Sequence, residues 1–313
     1  MILLGVFALI ALVNIGIAYY SYKIAFFNNI KDEDIDYVPK GEQYQTYADK
    51  LRSSARTMYE IPFEPVHIQS SNGLTLFGRY YHMEDGAPLQ IQMHGYRGCA
   101  YRDFSGGHAL ARKMGHNVLV VDQRSHGKSQ GHVISFGIKE REDCAAWVEY
   151  AYRRFGREIP IFLCGVSMGA ATVLMASELP LRENVVGIIA DCPYSSPKEI
   201  IIKVCRDMKI PGKPAYPFVV LGGLLFGKFK LWVSSAREAV KHSKIPILLI
   251  HGEDDRFVPC DMGLDIYAQN PDRITLETFA NAGHGMSYMV DTLRYETVVK
   301  SFSQRCLDNW CTE

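Results

Sequence analysis

Five residues, Gly165-Val166-Ser167-Met168-Gly169, constrain this chain more than any other segment. They separate the apolar run Ile159-Pro160-Ile161-Phe162-Leu163-Cys164 from the small-residue stretch Ala170-Ala171-Thr172-Val173-Leu174-Met175-Ala176, a pattern that predicts strand, sharp turn and helix in succession. A serine on such a turn is held in a strained backbone conformation. The flanking glycines leave no side chains to clash, and the hydroxyl projects from the strand edge as a candidate nucleophile. Gly127-Lys128-Ser129-Gln130-Gly131 fits the same G-x-S-x-G pattern. It follows the polar segment Asp122-Gln123-Arg124-Ser125-His126 and has no small-residue helix behind it, so it reads as a loop, and Ser167 is the candidate.

Around this turn the chain alternates. Ser71-Asn72-Gly73 predicts a hairpin between Val66-His67-Ile68 and Leu74-Thr75-Leu76-Phe77. Strand-like runs follow at Leu89 to Met93, Asn117 to Asp122, Pro160 to Cys164, Val185 to Ala190, Pro246 to His251 and Ile274 to Phe279, with helical patterns between most of them. In one of these, residues 138 to 155, Ile138, Ala145, Val148, Ala151 and Tyr152 share a face, and Lys139, Glu140, Glu142 and Glu149 fall largely on the other. Such alternation predicts an α/β fold whose mostly parallel sheet is covered on both faces.

Three segments stand outside this pattern. Residues 1 to 22 carry no charged side chain and are long enough for a transmembrane helix; a cleaved signal peptide is the alternative, although no basic start, shorter apolar region or small-x-small cleavage site is clear before Lys23. Tyr19, Tyr20 and Tyr22 suit the interfacial belt, and Lys23 and Lys31 on the C-terminal side place the rest of the chain in the cytoplasm, as a single-pass cell-membrane protein. Residues 23 to 63 form a polar linker with the acidic cluster Asp32, Glu33, Asp34 and Asp36. Within it Tyr44, Tyr47, Leu51, Ala55 and Met58 recur at three- and four-residue intervals, which predicts a short helix docked on the domain of residues 64 to 313. Residues 193 to 243, rich in proline and containing the apolar stretch Phe218 to Phe226, are too long for a simple crossover and read as an inserted cap. Two other roles are open to that stretch: padding the main core, or dipping into a membrane interface.

Composition excludes several partners and cofactors. Lys plus Arg and Asp plus Glu are both 34, so no basic excess argues for nucleic acid. The 8 cysteines lack metal-ligand spacing or a CxxC pair, and no dinucleotide-binding glycine fingerprint follows the first strands. The expected set of cofactors and metals is therefore empty.

A nucleophilic serine needs a base, a carboxylate that orients the base, and donors for the developing oxyanion. With the nucleophile on an elbow of this kind, the partners follow in the order serine, acid, histidine. After the strand Ile247-Leu248-Leu249-Ile250 comes His251-Gly252-Glu253-Asp254-Asp255-Arg256-Phe257-Val258-Pro259, and after Phe279 comes Asn281-Ala282-Gly283-His284-Gly285. His284 is the expected base, since an imidazole can take the serine proton near neutral pH and return it to a leaving group. The backbone N–H of Met168, next to the nucleophile at a helix start, is the expected first oxyanion donor.

Gly165 to Gly169, His251 to Pro259 and Gly283-His284, in this order, resemble the α/β-hydrolase superfamily, in particular its serine esterase, lipase and acylglycerol-hydrolase-like members, over about residues 64 to 309. The resemblance implies an eight-stranded sheet with an inserted cap and selects Asp255, over Asp254 and Glu253, as the acid. It also implies that His94-Gly95-Tyr96-Arg97-Gly98 is an oxyanion loop, with the Tyr96 N–H as second donor and the His94 side chain structural. Asp122 to Ser129 resembles an architectural loop of the same family. The chain departs from many acylglycerol lipases in following Gly169 with Ala170 rather than a third glycine. The implied activity is cleavage of carboxylic esters through an acyl-enzyme, and the apolar cap and the anchor point to acylglycerol, lysophospholipid or other lipophilic esters. The alternatives are a serine peptidase, amidase or acyltransferase on the same scaffold, and a non-catalytic membrane-tethered binding protein.

Overall fold

The computed structural model describes residues 2–29 and 34–311. Met1, Lys31, Asp32 and Glu33, which entered the reading of the anchor and the acidic cluster, lie outside the described residues. The first helix, α1 (Ile2–Ala25), is long and apolar enough to cross a membrane. It runs past residue 22, and its last turns are part of the domain. Tyr22 and Phe26 belong to the hydrophobic core, and the Phe26 ring meets Phe136 and Phe229 edge-on at 5.8 and 5.0 Å. Next come α2 (Glu42–Gln45) and α3 (Ala48–Tyr59), which together form the docked segment expected from the tyrosine and leucine spacing. Ala48, Ala55 and Met58 are its buried positions, and Asp36 ties the preceding loop to α3 through a bidentate pair with Arg56 at 2.7 and 2.9 Å.

Eight strands form one sheet: β1 (Glu64–Gln69), β2 (Thr75–Tyr81), β3 (Leu89–Met93), β4 (Asn117–Asp122), β5 (Ile161–Val166), β6 (Val185–Asp191), β7 (Ile247–Gly252) and β8 (Ile274–Phe279). Their order is β1-β2-β4-β3-β5-β6-β7-β8, antiparallel at the β1/β2 and β2/β4 pairings and parallel beyond. The strands are the ones the hydrophobic runs predict, and the alternation of their side chains makes two cores. Along β4, Val118 and Val120 face one core while Leu119 and Val121 face the other, and all four are fully buried. This is how strands covered on both faces read as continuous apolar runs.

Helices α4 (Ala100–Lys113), α5 (Glu140–Phe155) and α6 (Met168–Ala176) connect the first strands. The sheet face covered by α4 is opposite the one covered by α5 and α6. In α5 the face expected to be polar is interrupted: Glu140 is fully buried. Its carboxylate accepts from the backbone N–H groups of Ser135 and Gly137 at 2.8 and 2.9 Å and from the Ser135 hydroxyl, so it knots the loop ahead of the helix. The insertion after β6 consists of α7 (Pro197–Asp207), α8 (Gly212–Gly222), a π-helical turn at Gly223–Gly227 and the short α9 (Ala236–Ala239). It packs against the end of α1: a side chain at Gly222 would collide with the Ala18 carbonyl, and Phe226 meets Tyr19 and Tyr22 at 5.1 and 5.8 Å. The chain closes with α10 (Cys260–Tyr267), α11 (Ser287–Val290) and α12 (Thr292–Trp310).

Because α1 carries core residues only at its C-terminal end, the two halves differ in what they do for stability. Phe26→Ala is expected to destabilise the domain by about 3–5 kcal/mol. Ile10→Ala, at a position 53% exposed, should leave the urea midpoint of the full chain in detergent unchanged. Equal midpoints for wild type and Phe26→Ala would show that the helix end is not part of the fold.

Candidate active site

The turn between β5 and α6 is as sharp as the sequence requires. Ser167 has φ 55° and ψ −115°, a left-handed conformation that costs a non-glycine residue of order 1–3 kcal/mol. It is enforced from both sides. A side chain at Gly165 would run into the backbone of Gly169 and Ala170, and one at Gly169 would strike the Met93 carbonyl at the end of β3. The Ser167 N–H donates to the Asp191 carbonyl at 2.8 Å, which fixes the turn to the end of β6. Ala170, in place of the third glycine, is fully buried.

The residues expected to serve Ser167 come together from loops far apart in sequence. His284, in the loop after β8, places Nε2 2.9 Å from the Ser167 hydroxyl oxygen and Nδ1 2.7 Å from Asp255 Oδ2. The other carboxylate oxygen, Asp255 Oδ1, accepts from the N–H groups of Phe257 and Val258 at 2.9 and 2.8 Å. Burial by itself raises the Asp255 pKa, but the nearby His251 imidazole and the hydrogen bond from His284 outweigh it and bring the value down to about 2, so the carboxylate stays charged. Glu253 and Asp254 are exposed, and Glu253 accepts from the Thr278 hydroxyl at 2.7 Å.

Met168 is the first residue of α6, with Ser167 in the N-cap position. The loop after β3 lies beside it: a Cβ at Gly95 would sit 3.5 Å from the Ser167 Cβ. Three side chains shape that loop. Asp103 accepts from the Gly95 N–H at 2.9 Å. His94, fully buried, holds its Nε2 3.1 Å from the Gln123 N–H and its Nδ1 2.8 Å from the Gly95 carbonyl. His126 Nε2 accepts from the Arg97 N–H at 3.0 Å. Both imidazoles must be neutral to accept in this way, and burial holds both pKa values below the ordinary range. The second G-x-S-x-G has a structural role, as its loop placement implies. The Ser129 hydroxyl donates to the Asp122 carbonyl at 2.6 Å and accepts from the Phe77 N–H at 2.9 Å.

Several residues have a place at the site that the sequence does not indicate. Tyr44 of α2 donates its hydroxyl to the His284 carbonyl at 3.0 Å, across 240 positions. Tyr37, Lys40, Gln43 and Tyr44 form one wall of the cleft of about 690 Å³ that holds Ser167 and His284. The segment read as a linker therefore contributes to the site. The Phe257 ring meets His284 edge-on at 5.0 Å. Cys192 is buried with its sulfur in a cluster whose donor atoms, with those of Asp255 and His284, lie within 4.8 Å of one another. Burial pushes this thiol well above its usual pKa, so it is protonated, and the other two groups bond each other. The arrangement suits an oriented imidazole better than an ion. Asp191 accepts from the Tyr295 hydroxyl at 3.0 Å, and burial raises its pKa to about 6.

Residues 91–217 match the family described as "Serine aminopeptidase, S33". The uncharacterized protein YqkD of Bacillus subtilis is 26% identical over 310 residues, 98% of this chain and 97% of that protein. The lysophosphatidylserine lipase ABHD12 of Danio rerio is 23% identical over 183 residues, and the match spans 58% of this chain but only 46% of the lipase. Among solved structures, an esterase from Pyrococcus furiosus superposes with a TM-score of 0.66 at 22% identity, covering 80% of this chain and 93% of the esterase. The likeness to that structure shows the fold.

Two expectations follow from the geometry. Tyr44→Phe keeps the ring and removes the bond to the His284 carbonyl. Labelling of Ser167 by a fluorophosphonate should slow about three- to tenfold, in line with the loss of one neutral hydrogen bond, and an unchanged rate would mean Tyr44 does not position the loop. The buried imidazoles make stability depend on pH. Burial lowers His108 and His116 to about 4, and His94 and His126 shift in the same direction. The unfolded chain, with imidazoles near ~6.5, takes up protons first as the pH falls. Their contribution is complete above that value and should decline between it and pH 4, read as a falling urea midpoint. A midpoint that is flat over this window would contradict the neutral assignment.

Proposed function

We propose, for a chain that belongs to the α/β-hydrolase superfamily, that it is a serine hydrolase cleaving carboxylic esters with Ser167, His284 and Asp255. The reading rests on one observation, the continuous line Ser167 Oγ, His284 Nε2, His284 Nδ1, Asp255 Oδ2 with separations of 2.9 and 2.7 Å. As the serine oxygen attacks the acyl carbon, His284 Nε2 takes its proton, and Asp255 stabilises the imidazolium while holding the ring. The N–H groups of Met168 and Tyr96 receive the oxyanion. His284 then protonates the leaving alcohol, the acyl group remains on Ser167, and a water activated by the same imidazole releases the acid. Losing one oxyanion donor in such chemistry costs about 10²–10³ in turnover, which gives the Gly95-Tyr96 loop as much weight as the charged residues.

In this reading the substrate is a lipophilic acyl ester. It is supported by apolar side chains in the cleft, among them Phe104, Leu110, Ile189 and Met289, by α1 at the N-terminus, and by the name of the lysophosphatidylserine lipase. The helix α1 serves as a single membrane anchor, with the catalytic domain on the cytoplasmic side, where Lys23 lies. The name of the matched family supports a second reading, hydrolysis of peptide amides by the same residues.

Ser167→Ala should abolish turnover, by about six orders of magnitude if the triad acts as a unit, and Asp255→Asn should lower it by about 10⁴. The measurement is a panel of short- and long-chain p-nitrophenyl esters alongside a peptide amide. Faster turnover of the amide would replace the ester reading with the peptidase one. Ester hydrolysis undiminished in Ser167→Ala would remove Ser167 from the chemistry.

A further inference from the structure

The exposed apolar surface of the molecule continues from α1 onto the cap. Every described residue of α1 before Asn14 is exposed, Asn14 is partly shielded, and the buried positions Ala18, Tyr22 and, just past the helix, Phe26 follow at four-residue spacing. The uninterruptedly exposed stretch Ile2–Val13 is about 18 Å long, more than half the depth of a hydrocarbon core. Full burial begins at Ala18, where Gly222 packs, and Phe226 meets Tyr19 and Tyr22. Leu224 and Leu225 stand between these two cap contacts, 40% and 46% exposed, in the π-helical turn that ends α8. Tyr20, the neighbour of Tyr19 on α1, is 68% exposed, and the turn is followed by the exposed Lys228 and Lys230. Apolar tips, tyrosines and lysines in one place are the composition of a surface that enters lipid headgroups.

The cleft is fixed to the same end of α1. Arg97, which lines the cleft, donates Nη2 to the carbonyls of Ile24 and Phe27 at 3.0 and 3.1 Å, and the Tyr96 hydroxyl donates to Ala25 at 3.0 Å. These bonds satisfy carbonyls that a helix end leaves without partners. They also tie the loop beside Ser167 to the last turn of α1.

We propose that the turn Gly223–Gly227 is a second membrane contact. Leu224 and Leu225 sink into the leaflet next to α1, Lys228 and Lys230 meet its phosphates, and the cleft takes its ester from that leaflet. The inference rests on the readings of α1 as an anchor and of the site as an ester hydrolase, and its test separates the three. The full chain is reconstituted into vesicles of phosphatidylcholine and phosphatidylglycerol, as wild type, as Leu225→Trp, and as the pair Leu224→Asp, Leu225→Asp.

The tryptophan at 225 should emit at shorter wavelength than in detergent-free buffer and be quenched by lipids brominated near the carbonyl end of their chains. The aspartate pair should still float with the vesicles through α1 and hydrolyse soluble p-nitrophenyl butyrate at the wild-type rate. It should lose tenfold or more in turnover of a long-chain ester dispersed in the vesicles. A tryptophan that lipids do not quench overturns the membrane contact, including one shielded by a second copy of the chain in a concentration-dependent way. Undiminished turnover of the dispersed ester by the aspartate pair, or an equal loss on both esters, overturns delivery from the leaflet. Failure of wild type to float brings down the anchor reading and this proposal with it. If neither ester is hydrolysed, the ester reading falls, and quenching still decides the contact.

Discussion

Everything at this site depends on how closely the start of α6 approaches the end of β3. Gly169 lies so near the Met93 carbonyl that no side chain fits between them, and the loop that follows that strand begins with His94 and Gly95. One steric constraint therefore fixes two things at once: the left-handed Ser167 backbone and the placement of the loop after β3 beside it. A larger residue at 169 would push the helix outward, relax the turn and move the Met168 N–H away from the loop it faces. Strain of this kind persists only where packing over-determines it. Here the fully buried helix from Met168 to Ala176 supplies that packing.

Around this contact the polar groups are arranged as a rigid frame. Arg79 and Asp122 pair at 2.5 Å, Arg124 and Asp143 pair at 2.6 Å, and all four side chains are almost fully buried. Such pairs contribute little net stability, but removing one partner leaves a buried charge, so the loop between them has one permitted arrangement. That loop carries His126, and through it the Arg97 N–H. The Asp122 carboxylate also accepts from the Lys128 N–H at 2.9 Å, and its carbonyl takes the Ser129 hydroxyl. The second serine motif is thus consumed in building the support for the first.

What could be read in the sequence was local. The turn at Ser167, the hairpin, the apolar strands and the glycine-flanked His284 each announce themselves within about ten residues, and the order of the motifs carried the reading from fold to site. What could not be read depends on chain segments that meet only in three dimensions. Helical spacing picked out Tyr44 as a docking residue, but nothing in that spacing says its hydroxyl reaches the His284 carbonyl. Glu140 has the wrong polarity for its position on α5, and only the loop from Ser135 to Gly137, with its unpaired N–H groups, explains why a carboxylate is buried there. Composition marks α1 as apolar along its length. The change from exposed to packed at Ala18 reflects the cap residues it meets, which lie some two hundred positions away.

That change bears on what the N-terminal helix is for. A helix that only held the domain near a membrane would need no specific packing at its end, and a flexible connector would serve as well. In this chain Phe26 is fully enclosed by aromatic rings from the cap and from the loop ahead of α5, and the terminal carbonyls of α1 are taken by Tyr96 and Arg97. Further along, Tyr37, Lys40 and Gln43 line the cleft, and the Tyr44 hydroxyl bonds the His284 loop. The chain before β1 thus touches both the loop after β3 and the loop that carries His284. Any tilt of α1 relative to the domain must strain Tyr96 or pull Phe26 from its socket. The orientation of the apolar helix and the geometry around Ser167 are in this way one mechanical unit.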